Sequence, residues 1–260
     1  IGEYSSQFKG NFNGNGKVIT GLVIKRSYSN QGLFRYIAVS GAVRNLGIKN
    51  ANITLTDTSS TAGIVAGTVY GIVEGCYTTG SVSGYSYVGG IAGMVPGTMR
   101  NCYSTASIIG QASSGYVGGV AGFINPGGTV ENCYSTGTVK GTHGSASKIG
   151  GIAGEVQGVL KNCAALNPSI TGKAAVGRVL GATCVDETYT LAGNVAFGGI
   201  PGTWNNIGAD GLDGAGIALK QIYSGDFWRT AANWDTAGWD ESVWTLSNGK
   251  LPVLKNVGGA

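Results

Sequence analysis

The residues of this 260-residue chain that could cut or ligate something are five cysteines, one histidine and thirteen carboxylates. Cys76, Cys102, Cys133 and Cys163 lie 26, 31 and 30 residues apart. A structural zinc site wants its ligands in pairs two to four residues apart, so metal binding is not expected. His143 sits in a Gly/Ser loop, with no His-Glu-x-x-His helix and no Gly-x-Ser-x-Gly elbow in the chain. Asp210 and Asp213, within Gly208-Ala209-Asp210-Gly211-Leu212-Asp213-Gly214, would serve a turn or, less readily, a calcium ion. Together with Asp235, Asp240 and nearby tryptophans they are also where a glycan-cleaving site would be built, because such chemistry uses paired carboxylates. The acids do not recur at one repeated position, and Glu74 and Glu131 are expected to be solvated. The expectation is a chain that is not an enzyme and carries no cofactor.

What positions these residues is a repeat. Val88-Gly89-Gly90-Ile91-Ala92-Gly93 returns as Val117-Gly118-Gly119-Val120-Ala121-Gly122 and as Ile149-Gly150-Gly151-Ile152-Ala153-Gly154. A looser copy precedes it, Ala62-Gly63-Ile64-Val65-Ala66-Gly67, and a decayed one follows, Val176-Gly177-Arg178-Val179-Leu180-Gly181. A second motif trails the first four copies: Glu74-Gly75-Cys76-Tyr77, Arg100-Asn101-Cys102-Tyr103, Glu131-Asn132-Cys133-Tyr134 and Lys161-Asn162-Cys163-Ala164. Short β-branched runs, glycine turns and no helical period make each copy a set of short strands. Strands recurring at this period stack into coils, so the chain is predicted to be all-β, a parallel β-helix.

In a stacked coil, equivalent residues form ladders. The cysteine position holds Leu46 in an earlier copy, so it is a packing position, and buried free thiols are expected there; Cys184 falls outside the repeat. Asn101, Asn132 and Asn162 form an asparagine ladder that satisfies turns. Tyr77, Tyr103 and Tyr134 form an aromatic ladder, for packing or as a sugar-contact strip. Residues 1–196 read as the repeat region, irregular over 1–60 and regular over 61–181. Residues 197–260 hold all five tryptophans, Trp204, Trp228, Trp234, Trp239 and Trp244, and read as an aromatic-rich C-terminal cap, since an open solenoid end exposes core and strand edges. A ligand platform on Trp228, Trp234 and Trp239 is the sharper expectation for the same rings.

Gly makes up 48 residues and charged residues only 12%, so the surface is expected to be covered by uncharged polar groups. The net charge of +4 is scattered; with no basic stripe, nucleic acid is not an expected partner, and no apolar run is long enough to span a membrane. The chain opens on Ile1 with no initiator Met, as a mature or trimmed fragment would.

The tetrads Gly90-Ile91-Ala92-Gly93, Gly119-Val120-Ala121-Gly122 and Gly151-Ile152-Ala153-Gly154, each followed by an Asn-Cys segment, resemble the GLUG-motif repeats. The resemblance implies a bacterial cell-surface or secreted setting, adhesin-like, with repeats that also accompany IgA-cleaving metallopeptidase domains. It implies a module that binds a host-matrix protein or glycan or acts as a spacer, monomeric or part of a longer polypeptide. The alternatives left open are a glycan-degrading β-helix enzyme and an accessory segment of a larger secreted protease.

Overall fold

In the computed structural model, which describes residues 1–27, 29–113, 115–142, 147–183 and 188–258, the chain winds into a parallel β-solenoid. His143 and Cys184 lie outside the described residues. Four sheets run along its length, of seven, twelve, five and six strands, and every strand pairing in them is parallel. The pairing keeps equivalent residues in register from coil to coil. On the seven-stranded sheet Val43, Val73, Met99, Val130, Leu160 and Leu191 form one such row. All but Leu191 are fully buried, so this row supplies one wall of the core. The irregular first sixty residues join the same sheets: Asn11–Asn13 pairs with Ala42–Arg44, and Val18–Thr20 and Val23–Arg26 both pair with Gly47–Leu55.

Each motif residue answers to a geometric need. The residue before the cysteine turns the chain through the left-handed region: Asn45, Asn101, Asn132 and Asn162 have φ of 52°, 53°, 51° and 53°, and Gly75 and Gly193 take the same position at 61° and 62°. Only Gly and, at modest cost, Asn adopt that conformation readily. The tetrad is where the five- and six-stranded sheets approach until backbone meets backbone. A Cβ on Gly89 would lie 2.0 Å from the Ala92 carbonyl oxygen, and one on Gly118 would lie 2.0 Å from that of Ala121. The next glycine faces a buried hydroxyl ladder of Thr78, Ser104 and Ser135. A Cβ on Gly90 would sit 2.2 Å from Ser104 Oγ, and Thr78 Oγ1 is 3.0 Å from both the Gly90 carbonyl and Ser104 Oγ. Ala66, Ala92, Ala121 and Ala153 stack in register on the six-stranded sheet, small enough for that close approach.

The cap takes a different place from a plug on the open end. Ala215–Ile217 still pairs with Val195–Phe197, so the coil continues past residue 196. The chain then forms two short helices, Leu219–Ile222 and Gly225–Arg229, and an antiparallel pair, Trp244–Thr245 with Val253–Leu254. This segment returns along the side of the solenoid. It is bonded to the penultimate coils through Asn162 and Asp235, and to the first through Gly258 N donating to the Gly16 carbonyl at 2.7 Å.

Candidate ligand-contact surface

The tyrosine ladder is the outer face of the twelve-stranded sheet. Each tyrosine follows an inward cysteine, and neighbouring residues of a strand point to opposite faces. The rings stack one coil apart, with Tyr77–Tyr103 centroids at 5.1 Å and 8° and Tyr103–Tyr134 at 4.7 Å and 3°. No ring face is left open, because the returning segment covers them. Trp244 lies against Tyr103, and Trp228, Trp239 and Trp244 lie against Tyr134. Tyr77 and Tyr134 hydroxyls donate to the carbonyls of Gly258 and Pro252, both at 2.8 Å. Burial pushes the Tyr134 phenol well above its ordinary pKa, and the neighbouring Tyr103 pushes it further.

The three tryptophans expected to meet a ligand are therefore enclosed. Trp228, Trp234 and Trp239 are 0%, 7% and 2% exposed and pack on one another at 4.7 to 5.5 Å. Their correction has a simple cause: a row of outward tyrosines is apolar surface, and burying one such ring stabilises by roughly 1.5–3 kcal/mol. The asparagine ladder takes part in this docking. Asn162 accepts from Asp235 N at 2.7 Å and donates back to the Asp235 carbonyl at 3.1 Å, and Trp244 Nε1 donates to Asn101 Oδ1 at 3.3 Å. Asn132 turns its coil between them. Cys76, Cys102, Cys133 and Cys163 are free and fully buried. Each thiol sits 3.1 to 3.3 Å from the carbonyl two residues earlier. Burial pushes the Cys102 and Cys133 thiols well above their ordinary pKa, which keeps them protonated and unreactive.

The acids are dispersed. Asp213 is buried and accepts from the amides of Arg178 and Asn206, Asp235 is tied to Asn162, and Asp240 is exposed and accepts from Ser242. Asp210 is exposed. Among the described residues no three His, Cys, Asp or Glu side chains come together in a way that could hold a metal.

The aromatic surface that stays accessible is one the sequence reading passed over. Tyr87 and Tyr116 each lie two residues before the first glycine of a motif copy and stack in register at 5.2 Å and 21°. Phe123, from the six-stranded sheet, packs on both, at 5.8 Å and 5.4 Å. Lys148 continues the row. Its Nζ lies 5.2 Å over the Tyr116 ring and is paired with Glu155. Tyr87, Tyr116, Met94 and Lys148 are half-buried, and Phe123 and Glu155 form the floor. The signal was available: Tyr-Val-Gly at 87–89 and 116–118 and Lys-Ile-Gly at 148–150 put one large outward group per coil at the same position.

Comparison with known proteins agrees with this architecture. Residues 113–140 match the GLUG motif. A Gly-rich candidate membrane protein of Evansella cellulosilytica is 39% identical over 75 residues, which is 28% of this chain and 9% of that protein. Halomucin of Haloquadratum walsbyi is 37% identical over 84 residues, 32% of this chain and 1% of that protein. The chain thus spans only a small fraction of these curated relatives. Among solved structures, a candidate immunoglobulin A1 protease from Bacteroides ovatus superposes with a TM-score of 0.71 at 25% identity, over 94% of this chain and 76% of that one. The GLUG-motif match covers one coil, 113–140, and the tetrads at 90–93 and 151–154 flank it, with Ala92, Ala121 and Ala153 in register.

Proposed function

We propose that this solenoid is a non-enzymatic, adhesin-like surface module that holds a neutral glycan against the Tyr87–Tyr116–Phe123 stripe. The carrying observation is the half-exposed stack itself. The stack presents ring edges and the Lys148 ammonium to the C–H faces and hydroxyls of a sugar, while Glu155, buried beneath, holds Lys148 in place. The low charge content, 12% of residues, suits a polar, uncharged partner. Similarity to a candidate membrane protein and to halomucin supports a place at the cell surface or outside the cell.

The test is an array of neutral glycans probed with the chain and with Tyr116→Ala and Tyr87→Ala. Binding is expected to weaken about tenfold or more in Tyr116→Ala, or about 1.4 kcal/mol, with the melting temperature little changed. Equal binding by wild type and both variants, or no neutral glycan retained by the wild type, would remove the stripe as the contact. Release of reducing ends from a bound glycan would remove the non-enzymatic part of the reading.

A further inference from the structure

At the last coil the repeat breaks in one residue. Arg178 occupies the position that Gly90, Gly119 and Gly151 hold in earlier coils, since Gly150 pairs with Gly177. Gly90 and Gly119 have no room for a Cβ beside the hydroxyls of Ser104 and Ser135, and Gly151 has none beside Asn167 and Ala165. The ladder ends as Ser135 gives way to Ala165, then Ala196, then Gly216. The lost side chains leave room for a guanidinium.

That guanidinium is buried but poorly satisfied. Arg178 is 2% exposed. Its Nη2 donates to the Gly214 carbonyl at 3.0 Å, while its buried Nε has no acceptor. Asp213, the nearby acid, spends its two oxygens on the backbone amides of Arg178 and Asn206, at 3.0 and 2.9 Å. No carboxylate lies within ion-pair distance of Arg178 among the described residues. Asp213 offsets part of the cost of burying this cation from beyond ion-pair distance, and an added anion would offset more.

The group borders an open pocket of about 620 Å³. Between guanidinium and mouth stands Gly216, itself exposed, where a Cβ would lie 3.8 Å from Nη1 and 3.9 Å from Nη2. The walls are the half-buried rings of Phe197 and Trp204, the latter held by Nε1 donating to the Ile200 carbonyl at 2.9 Å. Ile207 and Leu219 form an apolar rim, 60% and 55% exposed. A cation at the base, flat apolar walls and an apolar rim suit an anion carried on a ring with apolar faces.

We propose that this end pocket binds an acidic sugar, with its carboxylate over Gly216 against Arg178 and its ring against Trp204 and Phe197. The site is separate from the neutral-glycan stripe and does not depend on it. Titration calorimetry with tetragalacturonate, its neutral methyl ester and acetate tests it. The acidic oligomer is expected to bind, the ester at least tenfold more weakly, and acetate negligibly. Gly216→Val places an ordinary van der Waals contact over the guanidinium and leaves Arg178 in place. It is expected to weaken tetragalacturonate about tenfold with an unchanged melting temperature, and Arg178→Gln to abolish the preference for acid over ester. Equal affinity for acid and ester, no binding of either, or full binding by Gly216→Val would overturn the proposal. Acetate competing as well as the oligomer would overturn the sugar assignment.

Discussion

Asn45, Gly75, Asn101, Asn132, Asn162 and Gly193 carry the corner of six successive coils with φ between 51° and 62°. This corner was legible in the sequence as Asn or Gly before Cys, because no other residue type meets that requirement cheaply. Thr236 breaks the pattern. It holds φ of 70° as a β-branched residue in the returning segment, next to the Asp235 backbone that Asn162 grips. The left-handed region costs such a residue roughly 1–2 kcal/mol. Thr236→Asn is therefore expected to raise stability by about 1 kcal/mol, read as a higher urea midpoint at constant m-value, and Asn132→Val to lower it by a similar amount. A Thr236→Asn variant no more stable than wild type would mean that the Thr236 hydroxyl, which donates to the Asp235 carbonyl at 2.6 Å, offsets the strain.

At the scale of the ladders, the inward rows were readable and the outward rows were not. Cysteine alternating with leucine at one position announces a core. Tyrosine at the next position announces only that something aromatic faces outward. Glu74 and Glu131 were expected to be solvated, yet with Arg44, Arg100 and Lys161 they form a row of alternating charge. Glu74 accepts from Arg44 at 3.1 Å and Arg100 at 2.8 Å, and Glu131 pairs with Lys161 at 3.2 Å. Burial alone would raise the Glu74 carboxyl, and the two arginines outweigh it and hold it below its usual pKa. These groups are partly exposed, so each pair is worth under about 1 kcal/mol. The tyrosine ladder has the larger pH signature. Burial raises the pKa of Tyr103, with a further push from Tyr77, and raises that of Tyr134. The folded chain thus keeps protons that the unfolded chain has lost above about pH 10. Stability is complete below that pH and falls as pH climbs from about 10 toward the folded values. The urea midpoint is expected to drop between pH 9 and pH 11, and less steeply in a Tyr103→Phe, Tyr134→Phe double variant. Parallel pH slopes in the two proteins would place the alkaline sensitivity elsewhere.

For the molecule as a whole, tryptophan content announced a cover without saying which surface it covers. Composition measures apolar area, and only the outward row of tyrosines says where that area must go. The cover lies along the flank, from Asn162 near the last coils to Gly16 in the first. A chain ended at residue 218 is expected to keep its parallel coils, bind a hydrophobic dye and self-associate through the bared tyrosine face. A truncated chain that stays monomeric and dye-free would show that the ladder tolerates water.

The same return path decides how the solenoid would sit within a longer polypeptide. The amino group of Ile1 donates to the Leu33 carbonyl, and Gly258 is bonded to Gly16 and to Tyr77. Residues 1 and 258 therefore share one pole, and Arg178 with its pocket belongs to the opposite one. Any polypeptide joined on both sides would enter and leave at the same pole. The solenoid would then stand out from it as a finger, tip outward, and a pull along the polypeptide would load the Gly16–Gly258 clasp before it reached the coils.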